Sequence, residues 1–375
     1  MINQKRVLNE FYDLVKVRCS THDEREMADI LKQKLQDLGA VSIQEDKAGE
    51  ELGGNAGNIV ANFAGTVPGA KTIMLTAHMD CVEPCANIHP VLKDGVIRSD
   101  GTTILGADDK AGVEAILEGL RQMNEQKLPH GPLQVVFTIS EEGGVHGSQH
   151  IDQSLLHADY GFTFDTGGHP GLMSIAAPGK NQFIIHVKGK ASHAGVAPEK
   201  GHNAIIAAAK LLADAPQGRL DEETTCNAGL IQGGTATNVV AAECTIRYEA
   251  RSRNKEKLQK HTQAIIDHFE KGADKTDCEV NVELAPDYDP YAHDKDNPAI
   301  QLAARACKKL GFPIKLAESG GGSDANHFNE YGIPTIVMGV GMENGHTLEE
   351  YILEKDLYDS CKLVVGLIQE AALTK

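Results

Sequence analysis

The chain has 375 residues, of which 41% are hydrophobic and 24% charged, with a formal net charge of −17. Such acidity excludes a binder of the nucleic-acid backbone, which needs clustered Lys and Arg; it reads either as solubility in the cytosol or as carboxylates recruited for metal binding. The start MINQKRVLNEFYDLV lacks the apolar stretch of a signal peptide, and no run of about 18 apolar residues follows, so no membrane partner is expected.

Length alone suggests two or three domains. Trp is absent and aromatics are only 5%, so aliphatic side chains must fill the core. The eight cysteines show no paired framework: Cys81 and Cys85 are close, but no second pair completes a zinc-type set. They read as reduced thiols of a cytoplasmic protein.

Val7 to Leu38 has helical spacing at Met27, Ile30, Leu31, Leu35 and Leu38, with Gly39 as the stop. Short β-type runs follow at Asn58–Phe63, Thr72–Thr76, Leu133–Ile139 and Phe162–Phe164. Between them Asp109–Met123 places Val113, Ile116, Leu117 and Leu120 on one helical face. Strands alternating with helices predict an α/β domain with a mainly parallel central sheet flanked by helices. Past Gly179 the rhythm changes. Gln182–Val187 alternates as a strand, Asn203–Ala213 is an Ala-rich helix, and Cys226–Ile231 and Val239–Tyr248 are strands. Lys255–Phe269 is a helix and Cys278–Leu284 a strand, completing the β-α-β-β-α-β order of a ferredoxin-like unit. Helical Pro298–Leu310, strand Thr335–Val340 and closing helix Tyr351–Leu373 restore the α/β rhythm. The expected organisation is a discontinuous domain, 1–179 with 290–375, and an inserted domain, 180–289.

The chemistry concentrates where predicted strands end. His78 and Asp80 are two apart on a strand and so project together; they suit a metal ligand and the carboxylate that orients it. Asp108 and Asp109 in GADDKAG open a helix, where capping is the ordinary use of Asp, although a carboxylate there can also bridge two cations. Glu141 and Glu142 follow the next strand, one suited to bind a metal and the other to act as general base. Asp165 ends a further strand in GFTFDTGG, and a glycine loop delivers His346. Each feature alone has a bland explanation. Together, His78, Asp108, Glu142, Asp165 and His346 arrive at the same place on successive α/β units and form a set suited to two Zn-class ions about 3.5–4 Å apart.

The segments HMD, SDGTTILGADDKAG, SEEGG, TFDTGG, KGKASHAG, GGTATNVVAA, GGGSDANHFNEYGIP and NGHTLEE run in order over nearly the whole chain. In this they resemble the cocatalytic zinc metallopeptidase family that includes peptidase T, carboxypeptidase G and aminoacylase. SDGTTILGADDKAG is most similar to peptidase T. The resemblance implies that His78, Asp108 and Asp165 hold one ion, that Asp108, Glu142 and His346 hold the other, that Asp80 orients His78 and that Glu141 is the general base. It also implies a cis peptide between Asp108 and Asp109. The inserted domain resembles the family's lid and dimerisation domain. In it His193 matches a histidine that polarises the scissile carbonyl, supplied by the partner subunit in dimeric members. Asn238, Arg251, Gly321 and Ser323 match substrate-contacting positions. The chain departs from peptidase T in having SHAG for VHPG and GGGSD for an arginine-glycine-glycine-threonine run, which leaves tripeptide specificity open. Asp165, rather than Glu, is similar to the aminopeptidase and aminoacylase side.

The expected function is release of N-terminal residues from short peptides by a homodimer carrying two zinc ions, with Co or Mn able to occupy similar sites. The alternatives are an N-acyl-amino-acid hydrolase, a catalytically silent binding protein, and, with little in its favour, an enzyme using Cys81 as nucleophile.

Overall fold

The computed structural model describes residues 2–374. They divide into two units: residues up to Ala177 together with those from Ala292, and Pro178–Tyr291. The first unit opens with α1 (Gln4–Lys16) and α2 (Arg25–Asp37). Asn3 caps α1 by accepting the Arg6 N–H at 3.2 Å, and Val7, Phe11, Leu14 and Val15 bury one stripe of the helix. The helical spacing from Val7 to Leu38 therefore belongs to two helices. Between them the chain leaves the helix and runs beside the sheet, where the Cys19 carbonyl accepts the Cys81 N–H at 2.9 Å. Next come β1 (Ile59–Phe63), β2 (Ile73–His78), α3 (Ala107–Glu125), β3 (Leu133–Thr138), β4 (Tyr160–Thr166) and β5 (Leu172–Ala177).

The second unit contains β6 (Gly179–Lys188), α4 (Ala204–Ala213), β7 (Thr224–Gly233), β8 (Glu243–Ser252), α5 (Lys255–Gly272) and β9 (Glu279–Tyr288). Its sheet has the order β7-β8-β6-β9 with antiparallel neighbours, and Gly218–Arg219 pairs with the start of β7. Phe183, Ile185, Ile246, Tyr248, Leu258, Ile265 and Phe269 form its core. β8 starts later than the run Val239–Tyr248 suggests. The Asn238 carbonyl accepts from Ala194 and the Val240 N–H donates to Ser192, both at 2.9 Å, so these residues pair with a loop before the strand begins. β9 continues through Pro286 because it is an edge strand, and its register shifts there.

The chain then returns to the first unit with α6 (Pro298–Leu310), α7 (Asp324–Glu330), β10 (Thr335–Gly339) and α8 (Glu354–Ala371). The central sheet runs Ser42–Glu45, β1, β3, β2, β4, β10, β5. β3, β2, β4 and β10 are parallel, β1 is antiparallel to its neighbours, and β5 is antiparallel to β10 but parallel to Lys315–Glu318. β2 and β3 are buried along their whole length, as strands covered on both faces must be. The expected apolar face of α3 is buried, but so is most of its opposite side. α1 and α8 pack on it, and the buried Glu118 finds partners, Arg6 donating to it at 2.9 Å and Gln122 at 2.8 Å, whereas both oxygens of the fully buried Glu114 lack a hydrogen-bond partner. The closing helix begins at Glu354 because Tyr351–Leu353 is a strand paired with Val96–Arg98. Among the described residues no helix is long and apolar enough to cross a membrane, and all eight cysteines are free.

Candidate metal centre

Parallel strands in an open α/β sheet place their C-terminal ends on one side, and sites form there. β2 ends at His78, Asp165 lies near the end of β4, Glu141 and Glu142 follow β3, and β10 opens into the loop of His346. His78 Nε2 lies 3.1 Å from Asp108 Oδ1 and 3.8 Å from Asp165 Oδ1. His346 Nε2 lies 3.3 Å from Asp108 Oδ2 and 3.0 Å from Glu142 Oε2. Two groups that can hold a cation result, His78–Asp108–Asp165 and Asp108–Glu142–His346, and Asp108 belongs to both.

Helix capping, the ordinary use of Asp108, does not occur. Asp108 has non-helical φ −80° and ψ 106°, and its peptide bond to Asp109 is cis. Asp109 serves the backbone instead: its carboxylate accepts the Gly112 N–H at 3.1 Å and the His78 N–H at 3.3 Å. Both Asp108 oxygens thus remain turned to the imidazoles.

Asp80 meets His78 as its spacing suggests, with His78 Nδ1 3.1 Å from the Asp80 carbonyl and 3.4 Å from its Oδ1. It also does something the spacing did not reveal. Its carboxylate accepts the N–H groups of Glu141 at 3.0 Å and Glu142 at 3.2 Å, and the Thr21 hydroxyl at 2.7 Å. One buried side chain therefore orients both His78 and the loop carrying the glutamates.

The electrostatics favour cations. Burial, and then the Asp165 carboxylate, push the Glu141 carboxyl well above its usual range. Burial raises Asp165 in the same way. Contacts with Asp108 and Glu142 raise the His346 imidazole to about 11. For His78, burial opposes charging, but Asp108 and Asp80 outweigh it and raise the imidazole well above normal. Excess negative charge disfavours further ionisation of these carboxyls, and a divalent ion would satisfy the same excess. Glu142 Oε1 supports the fit directly: it is a buried carboxylate oxygen without a hydrogen-bond partner. Two imidazoles and three carboxylates suit Zn-class ions. Cys81 belongs to neither donor group, although its thiol donates to the Asp108 carbonyl at 3.6 Å. Its sulfur lies 3.1 Å from Lys110 Nζ and 4.0 Å from the Cys19 sulfur.

The remaining expected residues belong to both units. On the second unit, His193 is exposed and bridges to Val239, beside exposed Asn238. Arg251 is engaged by Glu249 through contacts of 2.9 and 3.2 Å. On the first unit, the Gly321 N–H donates to Ser319 at 3.0 Å, and the Ser323 hydroxyl caps α7 by accepting the Ala325 N–H at 3.3 Å.

Sequence reasoning missed Thr21 and Glu24 because they fall within the helical spacing of the N-terminal segment. Glu24 is fully buried and accepts the His22 N–H at 3.0 Å and the Ser140 N–H at 3.2 Å. Burial, with Asp80 adding, raises its carboxyl to about 7. It holds Ser140, a non-glycine residue at φ 49°, just before Glu141. An interrupted helix pattern at Ser20-Thr21 was the available signal.

A largely parallel α/β sheet whose strand ends supply two cation-holding groups with a shared carboxylate defines an α/β protein built for a pair of metal ions. Residues 74–370 match the model of Peptidase family M20/M25/M40, and the chain belongs to that family. Metal-dependent peptide hydrolysis is the broad activity this membership carries. The crystal structure of aminopeptidase PepT from Bacillus cereus superposes with a TM-score of 0.89 at 41% identity, covering 99% of each chain. That of a tripeptidase from Staphylococcus aureus gives 0.93 at 37% identity, covering 100% of each. The Bacillus subtilis protein YqjE is 40% identical over 99% of this chain and 100% of its own.

Proposed function

We propose that this protein is an aminopeptidase that releases N-terminal residues from di- and tripeptides, using two divalent ions. The observation that carries the reading is Asp108, whose two oxygens face the separate imidazoles of His78 and His346 at 3.1 and 3.3 Å. His78, Asp108 and Asp165 would hold one ion, and Asp108, Glu142 and His346 the other. Similarity to an aminopeptidase and a tripeptidase supports the substrate class. When bound, the ions, zinc by the chemistry of the donor set, supply Lewis acidity that makes water acidic near neutral pH and stabilises a developing oxyanion.

The chain's own residues do the rest. Glu141 takes the proton of the attacking water and returns it to the leaving amine. Asp80 fixes the Glu141 backbone and the His78 ring, so the base and a ligand are set by one anion. His193 donates to the carbonyl oxygen as negative charge develops on it. Asn238, Arg251, Gly321 and Ser323 contact the substrate. The presence of both donor groups together with Glu141 argues against a silent binding protein.

Trialanine and its N-acetyl form, incubated separately with metal-loaded protein and read by mass spectrometry, test the assignment. The free peptide is expected to lose its N-terminal residue while the acetylated one is spared. Preferential turnover of the acetylated substrate would establish the N-acyl-amino-acid hydrolase instead.

A cytoplasmic homodimer joined through the second unit is also part of the proposal. β7 has only β8 as a strand partner beyond Cys226 among the described residues, and Leu230 and Ile231 on it and Ile205 beside Gly234 are exposed, at 57%, 48% and 38%. An unpaired edge flanked by apolar side chains is an association surface. Sedimentation should give twice the chain mass. If His193 serves the partner subunit, mixing inactive His193→Ala and Glu141→Gln chains should restore part of the activity. A monomer, or mixtures that stay inactive, would remove the shared-site reading.

A further inference from the structure

The start of α3 has a backbone problem that its own residues solve only in part, Asp109 accepting the Gly112 N–H. Its N-cap, Gly106, sits at φ 72° and has no side chain to accept the first N–H groups. Unpaired donors of this kind are costly when buried. Glu350, fully buried and remote in sequence, accepts three N–H groups of the turn that leads into the helix, one of them from α3 itself. Its Oε2 takes the N–H groups of Leu105 at 2.8 Å and Gly106 at 2.7 Å, and its Oε1 takes the N–H of Asp108 at 3.0 Å.

Glu350 stands at the end of the loop that carries His346. That loop is itself fixed at this end, since the next residues, Tyr351–Leu353, pair with Val96–Arg98 and the Glu349 carbonyl accepts from Arg98 at 3.0 Å. The carboxylate therefore bolts the backbone of Asp108 to the segment bearing His346. These two residues face one another at 3.3 Å in the group they share with Glu142. Because Glu350 caps the turn, the Asp108 carboxylate is released from that task.

We propose that Glu350 is a positioning residue of the metal centre, setting the separation of Asp108 and His346 and thereby the affinity for the ion held with Glu142, without contacting that ion. The inference rests on the two-ion reading given above. Carboxylates that orient metal ligands typically contribute 10- to 100-fold in metal affinity.

The test uses Glu350→Gln and Glu350→Ala in the full chain, with His346→Ala as the control for loss of one ion. Gln keeps the size and one acceptor oxygen but turns an amide N–H₂ toward a backbone donor. Zn²⁺ binding is measured by competition with a chromophoric chelator, and thermal unfolding is followed separately in excess EDTA. One of the two Zn²⁺ affinities, the one abolished in His346→Ala, is expected to fall roughly 10- to 100-fold in Glu350→Gln and further in Glu350→Ala. The other affinity should change far less. The Co²⁺ absorption spectrum of Glu350→Gln should also shift, reporting altered ligand geometry. Unchanged Zn²⁺ affinities with a lowered unfolding temperature in EDTA would overturn the proposal and leave Glu350 as a helix cap alone. A wild-type chain that binds no Zn²⁺ would instead overturn the two-ion reading and this inference with it.

Discussion

Glu141→Gln is expected to bind divalent metal as the wild type does while losing on the order of 10²–10⁴ in kcat. The separation follows from geometry. Glu141 belongs to neither cation-holding group, and its backbone N–H, rather than its carboxylate, is what Asp80 holds. The amide preserves shape but cannot accept the proton of the attacking water. Burial already disfavours the charged carboxylate, as do Asp165 and, further down the order, Asp324 and Glu142, so the neutral substitution should not destabilise the fold. Metal content by mass spectrometry and single-turnover kinetics on a tripeptide provide the check. Turnover near the wild-type level would remove Glu141 from the mechanism, and loss of metal would move it into the ligand set.

Asp108→Ala should have the larger effect on metal content, because one change takes a donor from both groups. Removal of Asp165 or Glu142 subtracts from one group only. Bound metal is expected to fall from two equivalents to one or fewer. Rate should fall by on the order of 10³ or more, since a metal ion supplies several kcal/mol of transition-state stabilisation. Stability should fall further with metal than without it. Against burial, which raises it, contacts with His346 and His78 hold the Asp108 carboxyl well below the usual carboxylate range, while the carboxylate disfavours ionisation of Asp109, Asp165 and Glu350 through like charge. In excess EDTA its removal gives up the imidazole contacts and relieves that repulsion, so the unfolding temperature is expected to fall modestly. With saturating Zn²⁺ the wild type gains stability by mass action that the variant cannot match. A drop in EDTA as large as that in Zn²⁺ would assign Asp108 a structural role instead of a bridging one.

These two residues show where sequence and tertiary structure divide the work. The α/β alternation, the buried parallel strands and the carboxylates at their ends are written in local patterns, because strand burial demands continuous apolar runs and the strand end is where polar residues become affordable. His78, Glu142, Asp165 and His346 were legible for that reason, as was the pairing of His78 with Asp80. Thr21 and Glu24 were not, since the break at Ser20-Thr21 was absorbed into one helical run and their partners Asp80 and Ser140 lie far along the chain. The engagement of Arg251 by Glu249 and of Ser323 by the start of α7 was likewise a matter of the folded chain.

Asp108 is the sharpest case. By sequence it is an aspartate at a helix start, and capping is the common fate of that residue. The chain's own order determined that carboxylates and imidazoles would gather at the strand ends. Whether Asp108 would cap a helix or face two imidazoles was decided by Glu350 and Asp109, which satisfy the backbone of that turn. Local sequence sets which donors need partners; only the assembled fold sets which side chain supplies them, because a hydrogen bond depends on distance in space and not on separation along the chain.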